Sequence, residues 1–140
     1  METILFWILS LTWGCIMTAF GATVALLMLL TGHKPRVFAG RYIYFKFNRL
    51  SGFGFEGGPF FFVAQDAEYL ELMQHEAGHG LQNIILGPLM PLLVSVPSAA
   101  RYWYREWCHK YRPEKPLPPY DAVWFEGWAT RLGKRHYPNG

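Results

Sequence analysis

"MQHEAGHGLQ", residues 73–82, places two histidines four residues apart, with a glutamate directly after the first. Residues four apart on a helix share one face, so the imidazoles of His75 and His79 can converge on a single ion. Zinc binds neutral imidazole nitrogens at about 2.0–2.1 Å, and this spacing suits it. Glu76 is rotated by about 100° from His75, too far to be a ligand from the same face. It is placed instead to take a proton from water as a general base.

A catalytic zinc site needs a third protein ligand. Glu126 lies within "DAVWFEGWATRLG", residues 121–133, which predicts a helix that stops at its final glycine. The acid stands among tryptophans and a phenylalanine, with no basic residue one turn away, so burying it requires a cation. We therefore expect Glu126 to be the third ligand, with an exposed surface glutamate as the alternative. Asp121 is expected to cap this helix, and His136 to be solvated, with a hydrogen bond to the site as its alternative role.

The composition favours a membrane surface over nucleic acid. The chain has 140 residues, enough for one domain, and only 16% of them are charged while 18% are aromatic. Its basic residues concentrate in segments 34–49 and 101–115, interleaved with Tyr and Trp beside apolar runs and without any nucleic-acid motif. Cys15 and Cys108 lie in unlike surroundings, so no disulfide is expected. A zinc site must then use histidine and carboxylate ligands.

The N-terminal apolar run predicts a membrane anchor. Residues 4–31 contain no charge over 28 positions, and as one helix they would extend roughly 42 Å against a hydrocarbon core of about 30 Å. The run is too long for a signal peptide and lacks a basic segment before it. Residues 1–32 are therefore expected to form a retained transmembrane helix. Its basic C-terminal flank places that end in the cytoplasm, and residues 33–140 form one membrane-associated domain.

A second apolar run, "LQNIILGPLMPLLVSVPSAA", covers residues 81–100. Its prolines oppose a straight helix, because each removes a backbone hydrogen bond and clashes with the preceding turn. A full crossing would also separate the histidines from every ligand in the C-terminal part. We expect a re-entrant or interfacial hairpin that turns at "GPLMP", residues 87–91.

The remaining segments predict a mostly helical protein with a short β-hairpin. The hairpin is expected from residues 41–48 and 58–64, and further helices from residues 67–86, 99–112 and 121–133. Asp66, Ser98 and Asp121 are the expected N-terminal caps of these helices.

"HEAGH", followed some forty-seven residues later by "EGWAT", resembles the gluzincin group of zinc metallopeptidases. The run "HEAGHGLQ…LGPL…PS…E..A" also resembles small bacterial membrane proteins that carry this motif. The resemblance implies a minimal zincin-like fold in which His75, His79 and Glu126 bind zinc and Glu76 is the general base. Thr130 stands where many members have an aspartate that contacts a ligand histidine, and it can make a weaker hydrogen bond there.

A second resemblance leads to a different third ligand. "PLPPYDA", residues 116–122, is partly similar to the stretch that supplies an aspartate in site-2-type intramembrane proteases, which would make Asp121 the ligand. The chain departs from that pattern because Ala122 replaces a glycine. The segment before the histidines is also too acidic for a helix embedded in lipid.

The sequence thus predicts a membrane-anchored zinc metallopeptidase, an endopeptidase rather than an exopeptidase. Its expected substrates are peptides or membrane proteins, cleaved at the cytoplasmic face of a bacterial cytoplasmic membrane. We expect contact with membrane lipid and none with nucleic acid. The alternatives are a non-catalytic membrane protein stabilised by zinc, and a site-2-type intramembrane protease that uses Asp121.

Overall fold

The computed structural model describes residues 2–48, 53–67 and 69–140. The protein is mostly helical with a small mixed sheet, which confirms the coarse expectation. The five helices of the described part are α1 (Thr3–Leu11), α2 (Cys15–Leu30), α3 (Leu70–Leu86), α4 (Val96–Tyr111) and α5 (Trp124–His136). The strands are β1 (Arg36–Phe38), β2 (Tyr42–Phe47), β3 (Gly54–Gly57) and β4 (Phe60–Ala64), in the sheet order β1-β2-β4-β3.

The N-terminal apolar run is not the single helix expected over residues 4–31. It breaks between α1 and α2, whose axes are bent by 97°. The cause is tertiary: the Trp13 indole donates to the Ile85 carbonyl at 3.4 Å, and the Asn83 amide donates to the Gly14 carbonyl at 3.2 Å. Glycine is also a weak helix former. In the part of the chain that the structure describes, no one helix has both the length and the apolar character to cross a bilayer, although two bent helix pairs meet both criteria jointly.

Helices α1 and α2 share a core with the rest of the chain. Phe6 is fully buried and packs on Tyr42, with ring centroids 4.8 Å apart. The backbones of Gly21 in α2 and Gly57 in β3 approach so closely that a Cβ on either glycine would overlap the other residue. The N-terminal segment therefore fixes the position of β3 in the sheet.

The prediction that residues 41–48 and 58–64 pair as an antiparallel hairpin is wrong. Strands β2 and β4 are parallel neighbours, with Ile43 opposite Phe60. The hairpins are instead β1–β2 and β3–β4, whose turns contain Gly40 and Gly58 at positive φ. Strands β1 and β3 have three and four residues, too few for a pattern of alternating polarity to reveal them.

The helix that carries the two histidines begins at Leu70 rather than at residue 67. Asp66 lies in a separate helical turn, Gln65–Ala67, and does not cap α3, which begins after an extended Tyr69. Beyond α3 the chain bends by 117° between Leu89 and Pro91, which confirms the expected turn. Its location at a bilayer stays a prediction.

Two more helix boundaries were predicted wrongly. Helix α4 begins at Val96, so Ser98 lies inside it rather than at its cap. Helix α5 begins at Trp124, because Asp121 belongs to a preceding helical turn, Tyr120–Ala122. It also continues past Gly133, whose missing side chain serves helix packing instead of helix termination.

Helices α3 and α5 pack with their backbones almost in contact. A Cβ on Gly78 would overlap the Ala129 carbonyl, and a Cβ on Gly133 would overlap the Gln74 carbonyl. The Gln74 side chain also donates to the Tyr137 carbonyl at 2.7 Å, just beyond the end of α5. These contacts bring the middle of α5 against the histidine face of α3.

We expect Gly133→Ala to destabilise the protein although alanine is the better helix former. Helix propensity favours alanine by up to about 1 kcal/mol, whereas forced overlap in a packed interior typically costs about 1–3 kcal/mol. Thermal unfolding measured by circular dichroism should therefore show a lower midpoint than for the wild type. Arg135→Ala, at an exposed position of the same helix, is the control, and equal midpoints for the two variants would refute the packing argument.

Candidate metal centre

Helices α3 and α5 bring three ligand-type side chains to one point. His75 and His79 lie on the inner face of α3, and Glu126 lies in the first turn of α5. The Glu126 carboxylate is fully buried, and one of its oxygens, Oε2, is 3.0 Å from His75 Nε2 and 3.1 Å from His79 Nε2. The two Nε2 atoms are 3.2 Å apart. Among the described residues, this is the group of histidine, cysteine and acidic side chains whose ligand atoms could hold a metal ion.

The outer nitrogen of each imidazole has its own hydrogen-bond partner. His75 Nδ1 is 2.9 Å from Thr130 Oγ1, and His79 Nδ1 is 2.7 Å from Gln82 Oε1. The Gln82 amide nitrogen donates to the Phe125 carbonyl at 2.8 Å, which fixes the amide oxygen as an acceptor toward His79. His79 Nδ1 therefore donates its proton to Gln82, and Nε2 is the nitrogen that faces Glu126. This is the arrangement of a histidine that ligates through Nε2.

The charges in this group favour a bound cation. A buried carboxylate faces two imidazole nitrogens, and its second oxygen accepts a hydrogen bond from Ser98. Burial tends to raise the pKa of Glu126, but the hydrogen bonds from His75 and His79 outweigh it and hold that pKa well below its usual range. Burial likewise lowers the pKa of His79, yet the hydrogen bond and charge of Glu126 raise it to about 9. The lowered pKa of Glu126 reflects stabilisation of its negative charge, and the raised pKa of His79 reflects stabilisation of positive charge beside it. A donor set of two imidazoles and one carboxylate fits a divalent metal.

Glu76 lies on the neighbouring flank of α3 and lines a cavity with the two histidines. The cavity has a volume of about 120 Å³, and the Glu76 carboxylate lies against Gly54 of the edge strand β3. Burial raises the pKa of Glu76 to about 8, since the charge of His79 offsets it only in part and the charges of Glu126 and Glu56 raise it further. A buried carboxyl group whose pKa is raised toward neutral pH is suited to proton transfer.

A wider groove of about 480 Å³ lies beside this cavity and shares several of its walls. Strand β3, helix α3 and helix α4 border both spaces, and Phe53, His75, Glu76, Tyr102 and Tyr120 line both. The groove runs on between α3 and α5 as far as Lys134. A ligand longer than a single amino acid can therefore reach Glu76 from this groove.

The other predicted candidates lie outside the ligand group. Asp121 is exposed in its helical turn and belongs to the groove lining rather than to the three-residue group. His136 is exposed at the end of α5, as the solvated interpretation expected. Thr130 does contact a ligand histidine, through the hydrogen bond to His75 described above.

Four residues of the site were missed from sequence. Gln82 and Ser98 hold His79 and Glu126 through hydrogen bonds, while Tyr120 and the buried Glu56 line the cavity. Burial raises the pKa of Glu56 to about 7, against the opposing charge of His79 and a hydrogen bond from the Gly58 amide. Glu56 had a usable signal, because it is the single acid in the aromatic and glycine-rich stretch 53–63. Gln82 is one turn after His79, a spacing that also allowed a prediction.

Comparison with known proteins found no matching protein-family model, no matching curated protein and no matching solved structure.

We expect Glu126→Gln to weaken divalent-metal binding strongly, while Asp121→Asn leaves it unchanged. The substitution removes the negative charge that the site needs, so the loss should exceed the roughly 10–100-fold caused by losing an outer hydrogen-bond partner. Competition with a chromophoric chelator measures the affinity of each variant for zinc. The reverse order, with Asp121→Asn the weaker binder, would identify Asp121 as the third ligand.

Proposed function

We propose that the protein is a zinc-dependent peptidase of gluzincin-like design, in which His75, His79 and Glu126 bind the metal and Glu76 is the general base. One observation carries the proposal: another buried carboxylate, Glu76, lines the same small cavity as the two histidines of the ligand group. A structural metal site needs ligands alone. An acid beside the ligands, facing a cavity with access to a groove, is what hydrolysis additionally requires.

Zinc is the metal that the donor set favours. Two imidazoles and one carboxylate form the three-ligand set of many catalytic zinc sites, and neither free cysteine belongs to the group. Bound at such a site, zinc lowers the pKa of water toward about 7 and polarises a carbonyl group. The residues Thr130 and Gln82 hold the two imidazoles in the orientation that ligation through Nε2 requires.

The side chains of the cavity have separate roles in the proposed reaction. The Glu76 carboxylate takes a proton from water as the water oxygen forms a bond to the carbonyl carbon of the substrate. The same proton then passes from Glu76 to the amide nitrogen as the carbon–nitrogen bond breaks, which leaves a carboxylic acid and an amine. The burial of Glu76 supports this role, because it keeps the acid and base forms close in energy near neutral pH.

The edge of the sheet beside the cavity is β3. Strand β4 is paired on both sides, by β2 and β3, and so offers no free edge to a peptide. Strand β3 borders the cavity at Gly54 and Glu56, and among the described strands none pairs with its outer edge. An extended peptide that pairs with this edge would pass over Glu76. The groove beyond the cavity favours an endopeptidase.

A membrane location forms part of the proposal. Helices α1 and α2 expose many large apolar side chains, among them Ile4, Leu27 and Leu30, although both helices are anchored to the protein core. The basic residues that follow α2 favour a cytoplasmic position for its C-terminal end. We therefore propose a protein of a bacterial cytoplasmic membrane that cleaves peptides or membrane proteins at the cytoplasmic face.

Glu76→Gln should abolish most peptide hydrolysis while the protein retains zinc. Loss of a general base typically lowers the rate by about 10²–10⁴-fold, and glutamine preserves the shape of the side chain. Hydrolysis of a quenched fluorescent peptide library and zinc content per chain are the two measurements. Glu114→Gln, in the exposed connector before α5, is the control. Undiminished hydrolysis in Glu76→Gln would exclude Glu76 as the base and support the non-catalytic role of the metal.

Removal of the metal should be reversible in its effect on activity. Dialysis against a chelator is expected to abolish hydrolysis and to lower the thermal unfolding midpoint, because metal binding stabilises the folded state. Addition of one equivalent of zinc should restore both. Activity that survives complete removal of zinc would overturn the proposed mechanism.

A further inference from the structure

Helix α4 has an exposed face that runs along its whole length. Side chains at spacings of three and four residues lie on this side of the helix and extend into the turn before it. They are Leu92, Val96, Ala100, Trp103, Tyr104, Trp107 and Tyr111, and all are exposed. We call this set the α4 stripe. For Trp103 and Tyr111 the exposed fraction is 60% and 61%, which is large for aromatic residues on a folded domain.

Cations surround the aromatic half of the α4 stripe. The Lys110 ammonium lies 5.2 Å from the centre of the Tyr111 ring, and the Arg112 guanidinium lies 5.7 Å from the centre of the Trp107 ring. Lys115 donates to the Tyr104 hydroxyl at 2.8 Å. Segment 101–115 contains five basic residues and two acidic ones. Its surface is therefore complementary to negative charge.

The α4 stripe changes character from one end to the other. Its first residues, Leu92 and Val96, are aliphatic and without charge, while its last turns carry tryptophan, tyrosine and lysine. A helix at the edge of a bilayer needs this order, because aliphatic groups enter the hydrocarbon, aromatic rings lie at the headgroups, and cations meet the phosphates. An acidic soluble partner would leave the aliphatic end exposed to water. A second copy of the chain would bring like charges together.

We propose that the α4 stripe docks on the headgroup region of a bilayer that contains anionic lipid. The proposal does not depend on peptidase activity, but it rests on the proposed membrane location. On the other side of α4, Ser98 and Tyr102 line the cavity of the candidate metal centre, and Trp103 at the border of the α4 stripe lines it too. Docking through the α4 stripe therefore sets the cavity next to the membrane surface. This docking also adds a charge-dependent contact with lipid to the apolar contact proposed for α1 and α2.

Hydrogen exchange of the full chain in lipid nanodiscs tests the proposal. One set of nanodiscs contains phosphatidylcholine alone and the other contains phosphatidylcholine with phosphatidylglycerol. Each basic residue at an anionic surface strengthens binding by about fivefold, so exchange of the α4 amides should slow by about tenfold or more with phosphatidylglycerol. Exchange at equal rates in the two lipids would overturn the proposal.

Charge reversal identifies the surface responsible. The double variant Lys110→Glu, Arg112→Glu should lose most of the slowing by phosphatidylglycerol, whereas Arg131→Glu, Arg135→Glu, with the same change of net charge on exposed positions of α5, should keep it. Equal loss in both variants would show that only net charge matters and would refute the specific surface.

The wild-type chain supplies a measurement that needs no variant. In about 1 M salt the Debye length falls to roughly 3 Å, so the difference between the two lipids should disappear. A difference that persists at this salt concentration would contradict a charge-dependent contact. In detergent without lipid, protection of the α4 amides that increases with protein concentration would mean that the α4 stripe contacts a second copy of the chain. That result would likewise overturn the proposal.

Discussion

The close packing of α3 on α5 is the constraint on which the metal centre depends. Glycines at positions 78 and 133 let the two backbones approach until no side chain fits between them. At this separation the Glu126 side chain on α5 reaches the imidazoles of both His75 and His79 on α3, although His79 is 47 residues earlier in the chain. A larger interhelical distance would leave Glu126 buried without a charged partner, which is costly in an apolar interior. Close packing of the two helices therefore allows Glu126 to reach the histidines, and the histidines in turn make the burial of Glu126 tolerable.

Among the described residues, three buried carboxylates lie around this contact, and their surroundings give them different chemistry. Glu126 receives hydrogen bonds from two imidazoles and a serine, which stabilise its charge. Glu76 and Glu56 are buried without comparable donors, so the pKa of each rises toward neutrality. One acid is thus suited to bind a cation and its neighbour to exchange a proton. This difference arises from hydrogen bonding and burial, because the three side chains are chemically identical.

The N-terminal helices connect the apolar part of the molecule to this interior. Gly21 lies against Gly57 of β3, and the Asn83 side chain on α3 reaches back to Gly14 between α1 and α2. Strand β3 in turn carries Glu56 and borders the cavity at Gly54. The segment formed by α1 and α2 thus exposes many apolar side chains on one side and contacts strand β3, which borders the cavity, on its other side. Any displacement of α2 is transmitted to β3 through a direct contact between backbones.

Residue patterns alone predicted four features of the protein: the helix that carries the histidines, the bend after that helix, a glutamate suited to be a third ligand, and a mostly helical fold. Each of these follows from local spacing, proline chemistry or an acid surrounded by aromatic residues. Other features became visible only in the folded chain. They are the break at Trp13 and Gly14, the parallel pairing of β2 with β4, and the positions of Ser98, Gln82 and Glu56 at the site. These features depend on contacts between residues far apart in the chain. Local propensity contains no information about such contacts, since the energy that fixes them appears only when the helices and strands pack together.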